Sequence, residues 1–218
     1  MIYAMAGAML LYKGLEVGSW WWFTKIRRVP WAHFRFDLWF ALLNVLFIIL
    51  MLAVALPYRP KSELFRWSSP IAVGALRSAA WGLAGGVVAF AAASPIFWYG
   101  DRQLYFVRLL IANALSPLGA AGVVLFVVAL GLSSELAYRG VVFRTLVETA
   151  SVPAAVVGSC LLFAWVYPAL SFPVATILGV VSALLYYRTR NLIAPIIANI
   201  VVTLGGGALT LYRGLMRG

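Results

Sequence analysis

The feature that most constrains this chain is a series of long apolar runs that carry almost no charge. Between Asp37 and Arg59 there is no charged residue at all, and residues 38–56 form the cleanest of these runs. Crossing a hydrocarbon core about 30 Å thick takes about 20 apolar residues in a helix. The runs are continuous rather than alternating in polarity, so they predict membrane-spanning helices and exclude a membrane β-barrel.

Composition supports the same class of protein. The 218 residues are 64% hydrophobic and only 11% charged, with a mean hydropathy of +0.98. Soluble domains have about 45–50% apolar and about 25% charged residues, so a water-facing surface cannot be built here. We predict an all-α integral membrane protein with about seven transmembrane helices, at residues 2–23, 38–56, 71–97, 105–132, 152–167, 172–187 and 192–211. The fourth is expected to break near Pro117, and residues 135–148 are expected to form a separate, more amphipathic helix.

Local spacings predict contacts within and between these segments. Lys13 and Glu16 are three residues apart on one helix face and could pair. Gly82 and Gly86 have the small-residue spacing that lets membrane helices pack closely.

The charge is strongly unbalanced, with 17 Lys and Arg against 6 Asp and Glu. In a membrane protein, basic loops hold the cytoplasmic side and contact anionic headgroups, so we expect membrane lipids and no nucleic acid as partners. We expect a bacterial cytoplasmic membrane location. The chain divides into an aromatic, basic N-terminal region (1–70) and a membrane core (71–218). The sequence leaves the orientation of the N-terminal segments open.

Cysteine and histidine each occur once, as Cys160 and His33. A single cysteine excludes an intrachain disulfide and a cysteine-rich metal site. His33 lies between Trp31 and Phe34, which is typical of an interfacial side chain. The alternative is a weak axial ligand for a haem or chlorophyll-type pigment. We predict no metal and no cofactor, and leave a bound pigment or lipid open.

One motif stands out, the sequence Ser-Ser-Glu-Leu-Ala-Tyr-Arg-Gly at residues 133–140. Glu135 and Arg139 are four residues apart, so they share a helix face and are expected to form an ion pair at the membrane edge. Ionised groups inside a membrane cost about 2.5–3.5 kcal/mol on insertion scales and are usually paired or functional.

Two more motifs follow in order: Phe163 to Tyr167, and an Asn-Leu-Ile-Ala-Pro-Ile segment from 191 that leads to Asn199 and Thr203. Together the three resemble the CPBP intramembrane protease family, which includes CAAX proteases and bacteriocin-processing proteins. Its pattern is Glu-Glu-x-x-x-Arg, then Phe-x-x-x-His, then His-x-x-x-Asn or Asp. The resemblance covers about residues 119–211 and implies a helical membrane core.

Carried over residue by residue, the resemblance implies that most catalytic side chains have been replaced. The second Glu, the Arg and the Phe are kept as Glu135, Arg139 and Phe163. The general-base Glu falls on Ser134, the two His fall on Tyr167 and Asn199, and the last Asn or Asp falls on Thr203. Ser cannot act as a general base near pH 7, and Tyr, with a reference pKa of about 10, substitutes poorly for His.

These departures favour a non-catalytic function. We expect a CPBP-like accessory subunit, scaffold or regulator of another membrane protein, with the old site holding helices together or cradling a ligand. The first alternative is an intramembrane CAAX-type endopeptidase with an altered site built on Glu135. The second is a pigment- or lipid-associated subunit of an energy-converting complex, which rests on the aromatic content and His33.

Overall fold

The computed structural model describes residues 2–22, 39, 42–43, 45–50, 53, 71–99, 117–166 and 171–217. All regular elements in these ranges are helical, which confirms the all-α prediction. They are α1 (Ile2–Trp21), α2 (Ile71–Tyr99), α3 (Pro117–Glu135), a π-helical segment (Leu136–Phe143), α4 (Arg144–Thr149), α5 (Val152–Val166), α6 (Phe172–Thr189) and α7 (Ile193–Arg217).

Four stretches among the described residues are long and apolar enough to cross a membrane, and α5 provides a shorter apolar helix, Val152–Trp165. The four are Gly74–Tyr99, Val124–Thr149, Phe172–Thr189 and Ile193–Met216. The protein is therefore an integral membrane protein. The predicted segments 38–56 and 105–132 are each described only in part, so the total of about seven spans stays a prediction.

Helices α2, α6 and α7 pack closely because α2 presents glycines to the other two. A Cβ added at Gly82 would lie 2.5 Å from the Ala194 carbonyl oxygen of α7, and one at Gly86 would lie 2.8 Å from Val201. Gly85 faces Leu185 of α6 in the same way. Small residues let membrane helices approach to backbone contact. Along α2, the contacted positions advance on α7, so α2 and α7 run parallel.

One span is longer and more continuous than the sequence indicated. Residues 135–148 were expected to form a separate amphipathic helix, but α3, the π-helical segment and α4 follow one another without a break. Pro117, where a break was expected, is the first residue of α3. Contacts of Arg139 with Gly179 and of Phe143 with Tyr186 show that this span runs parallel to α6.

Candidate functional site

The candidate site begins where α3 gives way to the π-helical segment. Glu135 is the last residue of α3, and all residues from Ala137 to Phe143 are buried. Within its most apolar stretch, 67% of this span is buried inside the protein, compared with 28%, 39% and 44% for the other three spans. Short π-helical pieces are rare and occur frequently at functional sites. The motif residues thus lie in the most enclosed span described.

The predicted ion pair forms, but deeper than expected. Arg139 Nε lies 3.1 Å from Glu135 Oε2, and both side chains are 0% exposed. The pair does not stand at the end of a span, since both residues fall near the middle of the candidate span Val124–Thr149. The physical reason is the continuity of α3, the π-helical segment and α4. Without it, Glu135 would have stood at a helix end.

Arg139 has two further partners from neighbouring helices. Its Nη2 donates a hydrogen bond of 3.0 Å to the Gly179 carbonyl oxygen of α6. Its guanidinium carbon lies 4.5 Å from the centre of the Phe163 ring of α5. Gly179 lets α5 and α6 approach, because an added Cβ there would lie 3.2 Å from Cys160. The carboxylate therefore balances the charge of the fully buried guanidinium, and the carbonyl and the ring face stabilise it further.

Asn199 links α7 to the same carboxylate. Its Nδ2 donates hydrogen bonds of 3.2 Å to Ser134 Oγ and of 3.2 Å to Glu135 Oε1. Its Oδ1 accepts a hydrogen bond of 3.3 Å from Thr203 Oγ1, one turn further along α7. Ser134 Oγ also donates 3.1 Å to the Gly131 carbonyl oxygen. Hydrogen bonds therefore link Ser134, Asn199 and Thr203 to one another and to Glu135.

Six of the seven residues predicted from the motifs come together, and each is at most 3% exposed. These six are Ser134, Glu135, Arg139, Phe163, Asn199 and Thr203. The seventh, Tyr167, lies outside the described residues, as does His33. We call the six the polar cluster.

Sequence reasoning missed two neighbours of the polar cluster. Ser182 of α6 is 0% exposed and lies near the Glu135 carboxylate, without a hydrogen bond of ordinary geometry to it. Tyr138 is buried, and its ring packs edge-on against Phe163 at 5.4 Å. Ser182 is the one serine of α6, and a hydroxyl within that apolar run was the available signal. Tyr138 carried no signal beyond its position inside the first motif.

The chemistry open to the polar cluster is limited. Glu135 is its only carboxylate, and each of its oxygens faces a nitrogen, Arg139 Nε or Asn199 Nδ2. No group of three His, Cys, Asp or Glu side chains that could hold a metal occurs among the described residues. Zinc sites use three or four such ligands. The arrangement is suited to holding α3, α5, α6 and α7 together.

Comparison with known proteins identifies the same part of the chain. Residues 115–205 match the family model described as type II CAAX prenyl endopeptidase Rce1-like. No curated protein and no solved structure gives a significant match. The matched range contains all three motifs and covers less than half of the chain. It corresponds closely to the range of about 119–211 that the motifs indicated.

Proposed function

We propose, from the membership of residues 115–205 in the CPBP family of membrane proteins, that this protein is a non-catalytic member of that family. Its role is that of an accessory subunit, scaffold or regulator of another integral membrane protein. Its location is the bacterial cytoplasmic membrane.

The observation that carries the proposal is the pattern of what is kept and what is lost. The kept residues, Glu135, Arg139 and Phe163, contact one another as an ion pair with a ring beneath the cation. That unit stabilises helix packing whether or not chemistry occurs beside it. Ser134, Asn199 and Thr203, at the positions where the family has ionisable or strongly polar groups, are neutral side chains that hydrogen-bond to each other and to Glu135.

Hydrolysis would need a group that takes a proton from water. General acid–base groups contribute about 10²–10⁴-fold to rate, and none is supplied by a Ser, an Asn or a Thr near neutral pH. The remaining carboxylate, that of Glu135, forms the buried ion pair with Arg139. The polar cluster is also closed, because its residues are at most 3% exposed.

A role in binding another membrane protein is supported by the part of the chain outside the family match. Helix α1 precedes the matched range and ends in Trp21 and Trp22, which are exposed. At the other face of α1, Tyr12 is buried in the same apolar cluster as Tyr138. The N-terminal helix thus contributes Tyr12 to the apolar core on one side and presents aromatic side chains on the other.

The experiment that tests the accessory role is extraction from native membranes in a mild detergent, followed by mass spectrometry of what co-purifies. We expect a stoichiometric integral membrane companion. Recovery of the protein alone, at the mass of one chain, contradicts the proposal. An absorption spectrum of the same preparation tests the pigment-associated alternative, which predicts a visible band.

The altered endopeptidase is the second candidate, favoured by the family match itself and by the retention of Glu135 in contact with Asn199. A cleavage assay on prenylated peptides with wild type and Glu135→Ala separates the two functions. We expect both proteins to match the no-protein background. Cleavage by wild type that Glu135→Ala abolishes would establish the endopeptidase and overturn the proposal.

Restoring the family residues gives a positive control for that assay. The variant carries Ser134→Glu, Tyr167→His, Asn199→His and Thr203→Asn, so that each motif regains the family pattern. Cleavage by this variant alone shows that the substrate and conditions were suitable. The absence of cleavage by the wild type is then explained by its lack of the general base and the two imidazoles.

A further inference from the structure

A second cluster of residues lies at one end of the helical bundle, far along α6 from the polar cluster. Arg77 and Trp81 are one turn apart on α2, near the start of the span Gly74–Tyr99. Arg188 lies in the last turn of α6, and its guanidinium carbon lies 4.6 Å from the centre of the Trp81 ring. Arg188 of α6 thus stacks on a tryptophan of α2, and Arg77 lies one helical turn before that tryptophan.

A third arginine follows directly. Arg190 caps α6, and its guanidinium carbon lies 4.8 Å from the centre of the Tyr187 ring. Its φ of 53° lies in the left-handed region, where a Cβ is disfavoured and Gly is usual in helix C-terminal caps. Strained positions of this kind persist where surrounding structure fixes them and are concentrated at functional sites.

The turn that carries Arg190 is held rigidly. Asn191 Oδ1 accepts a hydrogen bond of 2.8 Å from the Ile193 backbone N–H, and Thr189 Oγ1 donates 2.8 Å to the Leu185 carbonyl oxygen. The arginines on either side of Thr189 are thus fixed on a short, ordered connection. A guanidinium stacked on a ring keeps the N–H groups of its edge available in one plane.

Three arginines at this end of the bundle have no acidic partner among the described residues. The three acidic residues in the described part of the chain, Glu16, Glu135 and Glu148, each pair with a basic residue, namely Lys13, Arg139 and Arg144. Arg77, Arg188 and Arg190 form no ion pair with any of these three carboxylates, and all three arginines are exposed. Within the described ranges, they concentrate positive charge at one end of the spans.

Three candidate spans, Gly74–Tyr99, Phe172–Thr189 and Ile193–Met216, begin or end here, and lipid headgroups are expected at such ends. Trp81 is 37% exposed and Tyr187 is 39% exposed, as expected of aromatic side chains at a membrane interface. Basic pockets between transmembrane helices bind anionic headgroups, and arginine binds phosphate through two parallel N–H groups. We propose that Arg77, Arg188 and Arg190, with Trp81 and Tyr187, form a binding site for the headgroup of an anionic phospholipid from the surrounding leaflet.

The test measures the dissociation constant of phosphatidylglycerol for the full-length protein in a neutral detergent, by native mass spectrometry. We expect phosphatidylglycerol to bind more tightly than phosphatidylcholine of the same acyl chains. Each arginine near the surface contributes about fivefold, so the double variant Arg77→Gln/Arg188→Gln should lose about 20- to 30-fold. The charge-preserving variant Arg77→Lys/Arg188→Lys should lose about 2- to 5-fold, because it forfeits stacking and bidentate geometry.

A matched control comes from the same end of the bundle. Arg144→Gln/Glu148→Gln removes a paired arginine and its carboxylate, so the net charge is unchanged, and phosphatidylglycerol binding should equal that of wild type. Unaltered thermal unfolding of all variants shows that they fold.

Four results would each overturn the proposal. Equal binding of the two lipids shows no headgroup selectivity, and wild-type affinity in the Gln variant shows that these arginines do not bind. Wild-type affinity in the Lys variant shows only diffuse charge. Displacement of phosphatidylglycerol by millimolar inorganic phosphate shows a free-anion site rather than a lipid site.

Discussion

The buried pair of Glu135 and Arg139 gives the sharpest test of how the polar cluster is held. Glu135→Gln leaves Arg139 charged in the middle of a membrane span, with only the Gly179 carbonyl and the Phe163 ring as partners. Removing one member of a buried ion pair costs about 3–5 kcal/mol, and we expect that range for Glu135→Gln and for Arg139→Met separately.

The double variant Glu135→Gln/Arg139→Met should be much less affected than the sum of the two. It leaves no unpaired charge. Its main loss is the hydrogen bond to the Gly179 carbonyl oxygen, and leaving that buried acceptor without a donor costs about 1–3 kcal/mol. We therefore expect a coupling energy of at least about 2 kcal/mol between the two positions. The assay is reversible unfolding of the full chain in a mild detergent with added denaturant.

The matched control is the pair Arg144 and Glu148, which has the same i,i+4 spacing in the same span. Its atoms are 3.4 Å apart, but its side chains are 26% and 49% exposed. Exposed pairs contribute about 0–1 kcal/mol, so Arg144→Met and Glu148→Gln should show little coupling. If the coupling between Glu135 and Arg139 is no larger than in this control, the buried pair does not hold the polar cluster, and the reasoning is wrong.

Three further predictions concern single contacts, each measured by the same unfolding assay. Asn199→Ala removes the donor to Glu135 Oε1 and should destabilise by about 1–2 kcal/mol, the upper part of the range for hydrogen bonds between membrane helices, because the acceptor is a carboxylate; an unchanged midpoint would contradict this. Phe163→Leu should lower the free energy of unfolding by about 1–2 kcal/mol more than Phe143→Leu does. Both substitutions remove an edge contact of a buried ring, but only Phe163 lies beneath a guanidinium. Equal losses would refute that role. Gly82→Ala should destabilise by about 1–3 kcal/mol, since the new Cβ meets the Ala194 carbonyl oxygen, whereas Gly214→Ala, with nothing within 4 Å, should be neutral or stabilising by up to about 1 kcal/mol. The close-packing interpretation fails if the two glycine variants behave alike.

Local patterns predicted a large part of the fold. The small-residue spacing of Gly82 and Gly86 predicted a packing face, and the structure places α7 against it. The i,i+3 and i,i+4 spacings predicted the pairs of Lys13 with Glu16 and of Glu135 with Arg139, which form at 2.8 Å and 3.1 Å. These predictions succeed because residues three or four apart on a helix are neighbours whatever surrounds them.

The depth of the site was predicted less well. A helix was expected to start near Glu135, because the charges of the segment 135–148 differ from the apolar run before it. The segment instead continues the span through a π-helical stretch, which no residue pattern predicted. Burial by α5 and α6 lets this charged stretch remain inside the protein. The polar face of this amphipathic segment therefore contacts neighbouring helices rather than a membrane surface.

The sequence by itself determined that this is a helical membrane protein and set the order of the three motifs, and the family resemblance predicted the replacement of catalytic residues. Only the tertiary structure decided that Asn199 binds Glu135, that the Gly179 carbonyl accepts from Arg139, and that Arg188 stacks on Trp81. The first two contacts join residues 64 and 40 positions apart. Hydrophobicity and helical periodicity act over one or two turns, whereas such contacts depend on how whole helices pack.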